Sequence, residues 1–392
     1  MTLAIRPEAL TNASVGRATP ARAARRILMV QTQAENAGAQ EVSRILSAGL
    51  AERGHEVHQL FLFRRTGAFD DAPNAIFCAE ARPRNPLALA RLLLRLHDTI
   101  RRLAPDAVLT FQHYGNLLGA AAARLAGAPL VVATQTSATL TTPGAARRLD
   151  RLMGSLGLFD RIVVNSRDAA DAYHAYPARY RRRLVRIDHG FADKTSGLGK
   201  VEARQGLGLP QSAILLGCVA RLHPLKHLDA AIRLLPGEPR WHLALAGQGE
   251  MRDILLALAR SLGCADRLHL VGELPSGRIG DFLAALDVFV FPSLAETFGL
   301  AVVEAAQAGV PVVANDLEVL REVLVMDDGA CALFADAADP TAFAGAVRRL
   351  LAEPTLRATL TARGRRLKER YPLDAMVDAY DALVRAAGIP TA

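Results

Sequence analysis

The chain has 392 residues, 51% of them hydrophobic and 22% charged, the balance of a soluble globular protein and not of a disordered one. Only Lys194, Lys200, Lys226 and Lys368 among the 47 basic residues are lysine, and the net charge of +8 points to an anionic partner: nucleic acid, an anionic membrane surface or a phosphorylated small molecule. Nucleic acid is set aside, because the sequence shows neither a zinc-finger spacing nor an RNP-like aromatic strand. Cys78, Cys218, Cys264 and Cys331 stand far apart, so neither a disulfide framework nor a thiolate metal site is signalled, and a reducing cytoplasm is the expected compartment. No apolar run approaches the ~18–20 residues of a spanning helix.

Residues 1–25, with Arg6, Arg17, Arg22 and Arg25 among small polar residues, read as a disordered basic tail. From Arg26, strands over Ile27–Thr32, Val57–Phe63, Ala107–Gln112, Leu130–Thr134 and Arg161–Asn165 alternate with helical patterns such as Ala39–Arg53 and Leu117–Ala126. Such alternation specifies a parallel sheet covered on both faces, here a Rossmann-like domain over 26–190. Within it, 82–102 carries Arg82, Arg84, Arg91, Arg95, Arg101 and Arg102 among leucines, a basic amphipathic helix fit for an anionic membrane surface or for covering the sheet with a solvated arginine face. Residues 191–211 are rich in glycine, serine and charge and read as a linker. The pattern restarts over 212–372, with strands at Ile214–Ala220, His242–Ala246, Leu268–Val271, Val288–Pro292 and Val312–Asn315, so a second doubly wound domain is expected. A last helix within 373–392 follows Pro372, and packing back on the first domain is one destination for it.

The densest information lies in Val288–Val313, which runs strand, loop, helix, turn, strand. Its helix starts near Phe298–Gly299, placing free N–H groups where an anion can bind. Glu296 precedes that start and Glu304 follows it by about one and a half turns, so both carboxylates can serve one ligand and accept hydroxyl pairs of a sugar or ribose.

Glu296-x7-Glu304, with Phe298-Gly-Leu300 beside it and Gly309-Val-Pro-Val-Val after it, resembles the signature of retaining nucleotide-sugar glycosyltransferases of family 4, which have the GT-B fold of two facing Rossmann-like domains. Gly217-Cys-Val-Ala-Arg221-Leu-His-Pro-Leu-Lys226 resembles the segment where that family sets an Arg and a Lys on the donor diphosphate. The resemblance implies that Arg221, Lys226 and the amides of Phe298, Gly299 and Leu300 hold the leaving diphosphate. It also implies that Glu296 holds sugar hydroxyls, Glu304 the ribose, and Leu274 the nucleobase. Asn36-Ala-Gly38 resembles the family's glycine-rich loop after strand one, which approaches the donor phosphates and the acceptor; Gly38 there admits close backbone approach as a donor-binding residue, and His113 matches a cleft histidine. Gln135 stands where the family often has a donor-sugar histidine. Asp188-His189-Gly190 and Asn315-Asp-Leu-Glu318 also depart from the family pattern, so substrate identity transfers least.

The expected activity is metal-independent, retaining transfer from a UDP- or GDP-linked sugar to a glycan or lipid-linked acceptor, with no further cofactor. The setting implied is surface polysaccharide or lipopolysaccharide synthesis, in the cytoplasm or at the inner face of the membrane. A sugar-nucleotide epimerase of the same fold and a silent nucleotide-sugar-binding module are the alternatives. A dinucleotide oxidoreductase fits poorly, because Gln33-Ala-Glu-Asn-Ala-Gly38 follows the first strand in place of G-x-G-x-x-G.

Overall fold

The computed structural model describes residues 23–138 and 141–386. The first sheet contains β1 (Arg26–Ala34), β2 (Glu56–Arg64), β3 (Ala75–Phe77), β4 (Ala107–Phe111), β5 (Leu130–Thr134), β6 (Arg161–Val164) and β7 (Leu184–Arg186) in the order 3-2-1-4-5-6-7, all parallel. The second contains β8 (Ile214–Val219), β9 (Trp241–Ala246), β10 (Leu268–Gly272), β11 (Val288–Phe291) and β12 (Val312–Asn315). After a small hairpin of β13 (Val325–Met326) and β14 (Gly329–Ala330), β15 (Leu333–Ala335) closes its edge, giving the parallel order 10-9-8-11-12-15. Both are doubly wound sheets, as the alternating pattern requires. Every residue of β4, β5, β11 and β12 is buried, because helices cover both faces.

Strand order reverses between β1 and β4 in one sheet and between β8 and β11 in the other. Chain segments leaving those strand ends diverge to opposite faces and open a crevice, the general ligand position in open α/β sheets. Residues 35–38, 112, 220–226 and 292–299 therefore converge between the domains.

Three edge strands, β3, β7 and β15, escape sequence reading because each has three residues, only partly buried or exposed, with no two-faced apolar run. The pattern over Leu117–Ala126 belongs to a longer helical stretch that begins at Gln112 and passes through a π-helical turn over Gly115–Gly119. At Gly119 an added Cβ would lie 2.9 Å from Val30 Cγ1, so the glycine lets this turn press against β1. The stretch read as a linker contains a helix over Lys200–Gly206, anchored by buried Arg204, which pairs with Asp287 at 2.7 Å and donates to the Ala285 and Gln211 carbonyls.

The helix Leu373–Arg385 crosses back to the first domain. Gly49 on the helix Gly38–Glu52 leaves room for Val377, whose Cγ2 would stand 2.7 Å from a Cβ there. Asp381 receives His55 Nε2 at 2.6 Å, and Arg53 pairs with Asp378 at 2.6 Å. Met376, Val377, Tyr380 and Val384 thus join the apolar core of the second domain to that of the first behind β1. Of the expected basic tail, residues 1–22 lie outside the described residues, and the Arg25 N–H donates to His55 Nδ1 at 3.0 Å.

Candidate active site

A cavity of about 580 Å³ lies between the two sets of strand ends. The loop after β8 supplies its cations. Gly247 (φ 141°) brings the loop after β9 against the Ala220 carbonyl, where any Cβ would collide with that oxygen, and the Leu222 N–H donates to the Gln248 carbonyl at 3.0 Å. These contacts fix Arg221 at the cavity wall. Lys226 ends a 3-10 turn, Pro224–Lys226, whose first free N–H is taken by the His223 ring, 3.2 Å from the Leu225 nitrogen.

Each cation already faces a carboxylate. Lys226 Nζ lies 2.5 Å from Glu296 Oε1 and 5.7 Å from the centre of the Phe291 ring. Arg221 lies 3.3 Å from Glu35, which also receives Arg65 at 3.4 Å, and Arg65 bridges in turn to Glu250 of the other domain at 3.4 Å. Carboxylates from both domains therefore pair with the two cations, in charge-assisted contacts for which an anionic ligand would compete.

Gly299 adopts φ 80°, a left-handed conformation that turns the chain from the Glu296 loop into the helix Leu300–Gln307. Phe298, Gly299 and Leu300 line the cavity, with the Phe298 ring buried between His189 (5.2 Å) and Tyr371 (5.1 Å), so this segment offers main-chain groups to a ligand. His189, too, is buried at the cavity wall, and burial, partly opposed by Asp188, lowers its pKa to about 4.

Glu304 reaches the cavity from the second turn of that helix. Burial pushes its pKa up to about 8, with Lys194 acting to lower it and Glu41 to raise it. Its Oε1 has no hydrogen-bond partner among the described residues, and Lys194 Nζ stands 3.9 Å away. Leu274, half-buried after β10, forms part of the wall. Gly38 opens the helix Gly38–Glu52 at the opposite wall, and an added Cβ there would meet nothing within 4 Å, so the crevice in front of it is open.

Two expected residues do not join this group. His113 is half-buried against Tyr114, ring centres 4.2 Å apart, and is not among the lining residues, where its neighbour Gln112 stands instead. The cause is local: Gln112 adopts φ 61° and accepts the Thr32 N–H at 3.3 Å, so it occupies the turn after β4. Gln135 is buried inside the first domain, where its amide donates to Asp150 at 2.9 Å and its oxygen accepts from Asn116 at 3.3 Å. Thr136 and Ser137 take its place at the cavity.

Sequence reasoning missed Glu35, Glu41, Arg65, Lys194 and Ser276, all of which line the cavity. Four of them come from loops or helix starts without a distinctive spacing. Lys194 alone carried a signal, being one of four lysines in an arginine-dominated chain.

Two Rossmann-like domains facing across a cation-lined cleft are the architecture of a GT-B glycosyltransferase. The model of Glycosyltransferase Family 4 matches residues 37–192, and that of glycosyl transferases group 1 matches residues 200–367. The chain belongs to this family of glycosyltransferases. It is similar to D-inositol 3-phosphate glycosyltransferase of Thermobifida fusca, 30% identical over 380 residues that cover 86% of each chain. It is also similar to the lipopolysaccharide core biosynthesis glycosyltransferase LpsE of Rhizobium meliloti, 33% identical over 202 residues, 51% of this chain and 57% of that one. With several curated relatives the match spans only about half of their length. Among solved structures, Anabaena HepE in complex with UDP-glucose superposes with a TM-score of 0.77 at 19% identity, covering 92% of this chain and 99% of that one.

Proposed function

We propose that the cleft transfers a sugar from a UDP- or GDP-linked donor to an acceptor hydroxyl, retaining the anomeric configuration and using protein cations in place of a metal ion. One observation carries this reading: Arg221, Lys226, Glu296, Glu304 and the start of the Leu300–Gln307 helix converge on a single cavity. The UDP-glucose held by HepE supports a nucleotide-sugar donor.

A diphosphate entering between Arg221 and Lys226 takes over the contacts now made by Glu35 and Glu296. Glu296, released from Lys226, can then accept sugar hydroxyls. The bond from the anomeric carbon to the diphosphate oxygen breaks as the acceptor oxygen bonds to the same face of that carbon, and the acceptor's proton passes to the departing phosphate oxygen. Arg221, Lys226 and the Gly299–Leu300 amides stabilise the charge that develops on the diphosphate, and the rate comes from this stabilisation and from positioning.

The name of LpsE supports a glycan or lipid-linked acceptor of the kind found in surface glycoconjugates. The helix Pro86–Leu103 supports an anionic membrane surface as the place of action. It covers the sheet with Leu92, Leu96 and Ile100 while Leu87 (61%) and Leu94 (65%) stay exposed beside Arg91, Arg101 and Arg102. No helix among the described residues is long and apolar enough to cross a membrane.

The test is release of nucleoside diphosphate from a donor panel with and without acceptor, with anomeric analysis of the product. Diphosphate release that yields an α-product from an α-donor supports the reading. Conversion to a new nucleotide sugar without release would establish the epimerase alternative, and binding without turnover the silent module.

A further inference from the structure

Lys194 is the most enclosed cation of the cavity, 9% exposed, and it comes from the segment that crosses between the domains. Its backbone belongs to the second domain: the N–H donates to Gln307 at 3.3 Å, and its carbonyl would stand 2.5 Å from a Cβ at Gly280, a glycine that admits this approach. Its side chain faces both domains. Nζ lies 2.6 Å from Ser276 Oγ, 3.0 Å from Glu41 Oε1 and 3.9 Å from Glu304 Oε1, while the Ser276 hydroxyl donates to the same Glu41 oxygen.

An ammonium has three N–H donors. Two of them serve Ser276 Oγ and Glu41, and the third makes only a long contact of 3.4 Å with the Ser276 carbonyl while facing Glu304 across 3.9 Å, a gap too long for a hydrogen bond. Glu304 Oε1 is buried without a hydrogen-bond partner and borders the same gap. A hydroxyl placed there at about 2.8 Å from both atoms accepts from Lys194 in place of the long Ser276 carbonyl contact and donates to Glu304, giving the buried Oε1 its partner.

We propose that Lys194, held by Glu41 and Ser276 opposite Glu304, is a donor-binding residue that recognises the ribose hydroxyls of the nucleotide. This rests on the nucleotide-cleft reading above and adds a recognition residue to it. Because Glu41 belongs to the first domain and Ser276 to the second, a ribose on Lys194 is read only when the domains face each other, so the contact ties sugar recognition to the closed cleft.

The experiment is calorimetric titration of the full chain with UDP, GDP and ADP and with their 2′-deoxy and 3′-deoxy forms. For the wild type, removal of the engaged hydroxyl should weaken binding about 10- to 100-fold, the usual worth of a hydrogen bond to a charged group. Lys194→Met should weaken the ribonucleotide by a similar factor and bind the ribo and deoxy forms within about threefold of each other. Ser276→Ala, which removes the shortest of the contacts that orient the ammonium, should narrow the same discrimination and covers the case in which Lys194→Met fails to fold. Equal weakening of ribo and deoxy forms by Lys194→Met would show a bolt between domains and overturn the proposal. Failure of the wild type to bind any of the nucleotides would instead overturn the nucleotide-cleft reading, and this inference with it.

Discussion

Replacing Glu304 with Gln isolates the electrostatic cost of burying this carboxyl. Burial raises the Glu304 carboxyl from 4.5 to about 8, so the folded chain holds a proton there that the unfolded chain releases. Between those two values the unfolded state binds fewer protons, and stability therefore falls as pH rises. At 1.36 kcal/mol per pH unit, the whole interval is on the order of 4–5 kcal/mol. Glutamine keeps the shape and carries no titratable proton, so Glu304→Gln should gain on the wild type by about 1.4 kcal/mol per pH unit from pH 5 to 8, then level off. With roughly 2.1 cal/mol/K of unfolding entropy per residue, this corresponds to about 2–4 °C in Tm per pH unit, the larger figure if the second domain melts alone. Melting both proteins in matched buffers from pH 5 to 9 measures the difference directly. Parallel Tm curves across that range would refute the reasoning, because they would mean that Lys194 already holds Glu304 ionised.

Other predictions concern separate parts of the cleft. Lys226→Met leaves Glu296 without its 2.5 Å partner and the diphosphate without a cation, and turnover should fall about 10²- to 10³-fold with the melting profile nearly unchanged; turnover within threefold of wild type would remove Lys226 from the mechanism. Gly247→Ala must accommodate both a φ of 141° and a collision with the Ala220 carbonyl, so it should cost about 1–3 kcal/mol and weaken nucleotide binding through Arg221, as titration calorimetry would read; wild-type affinity in that variant would separate the loop from the site. Leu87→Asp with Leu94→Asp should abolish flotation with anionic vesicles while diphosphate release from soluble donor persists, and unchanged flotation would assign lipid binding elsewhere.

The sheets were legible because strands buried on both faces are continuous apolar runs, and β5 and β12 begin and end where their sequences do. β7 was not, since Leu184-Val-Arg186 lies inside an arginine-rich run and pairs on one side only. The site was legible where spacing on one element constrains it, as for Glu296 and Glu304 around the Gly299 turn. It was illegible where it depends on the packing of distant segments: Lys194 meets Glu41 across 153 positions and Ser276 across 82, distances no local pattern encodes. Gln135 shows the reverse error. Its position after β5 matched a cleft residue, but the presence of Asp150 and Asn116 beneath it gave its amide better partners inside the domain. The destination of the C-terminal helix likewise followed from shape, the Gly49 gap receiving Val377, and not from periodicity.

The most direct test of the account is the thermal shift of the full chain with UDP, GDP, ADP, their sugar conjugates and NAD, each with and without EDTA. A ligand at 100 times its Kd stabilises by about 2.7 kcal/mol, several degrees for a chain of this size. The account predicts a shift with one nucleoside diphosphate family that is indifferent to EDTA and lost in Lys226→Met. A shift that disappears with EDTA, or one produced by NAD alone, would contradict it.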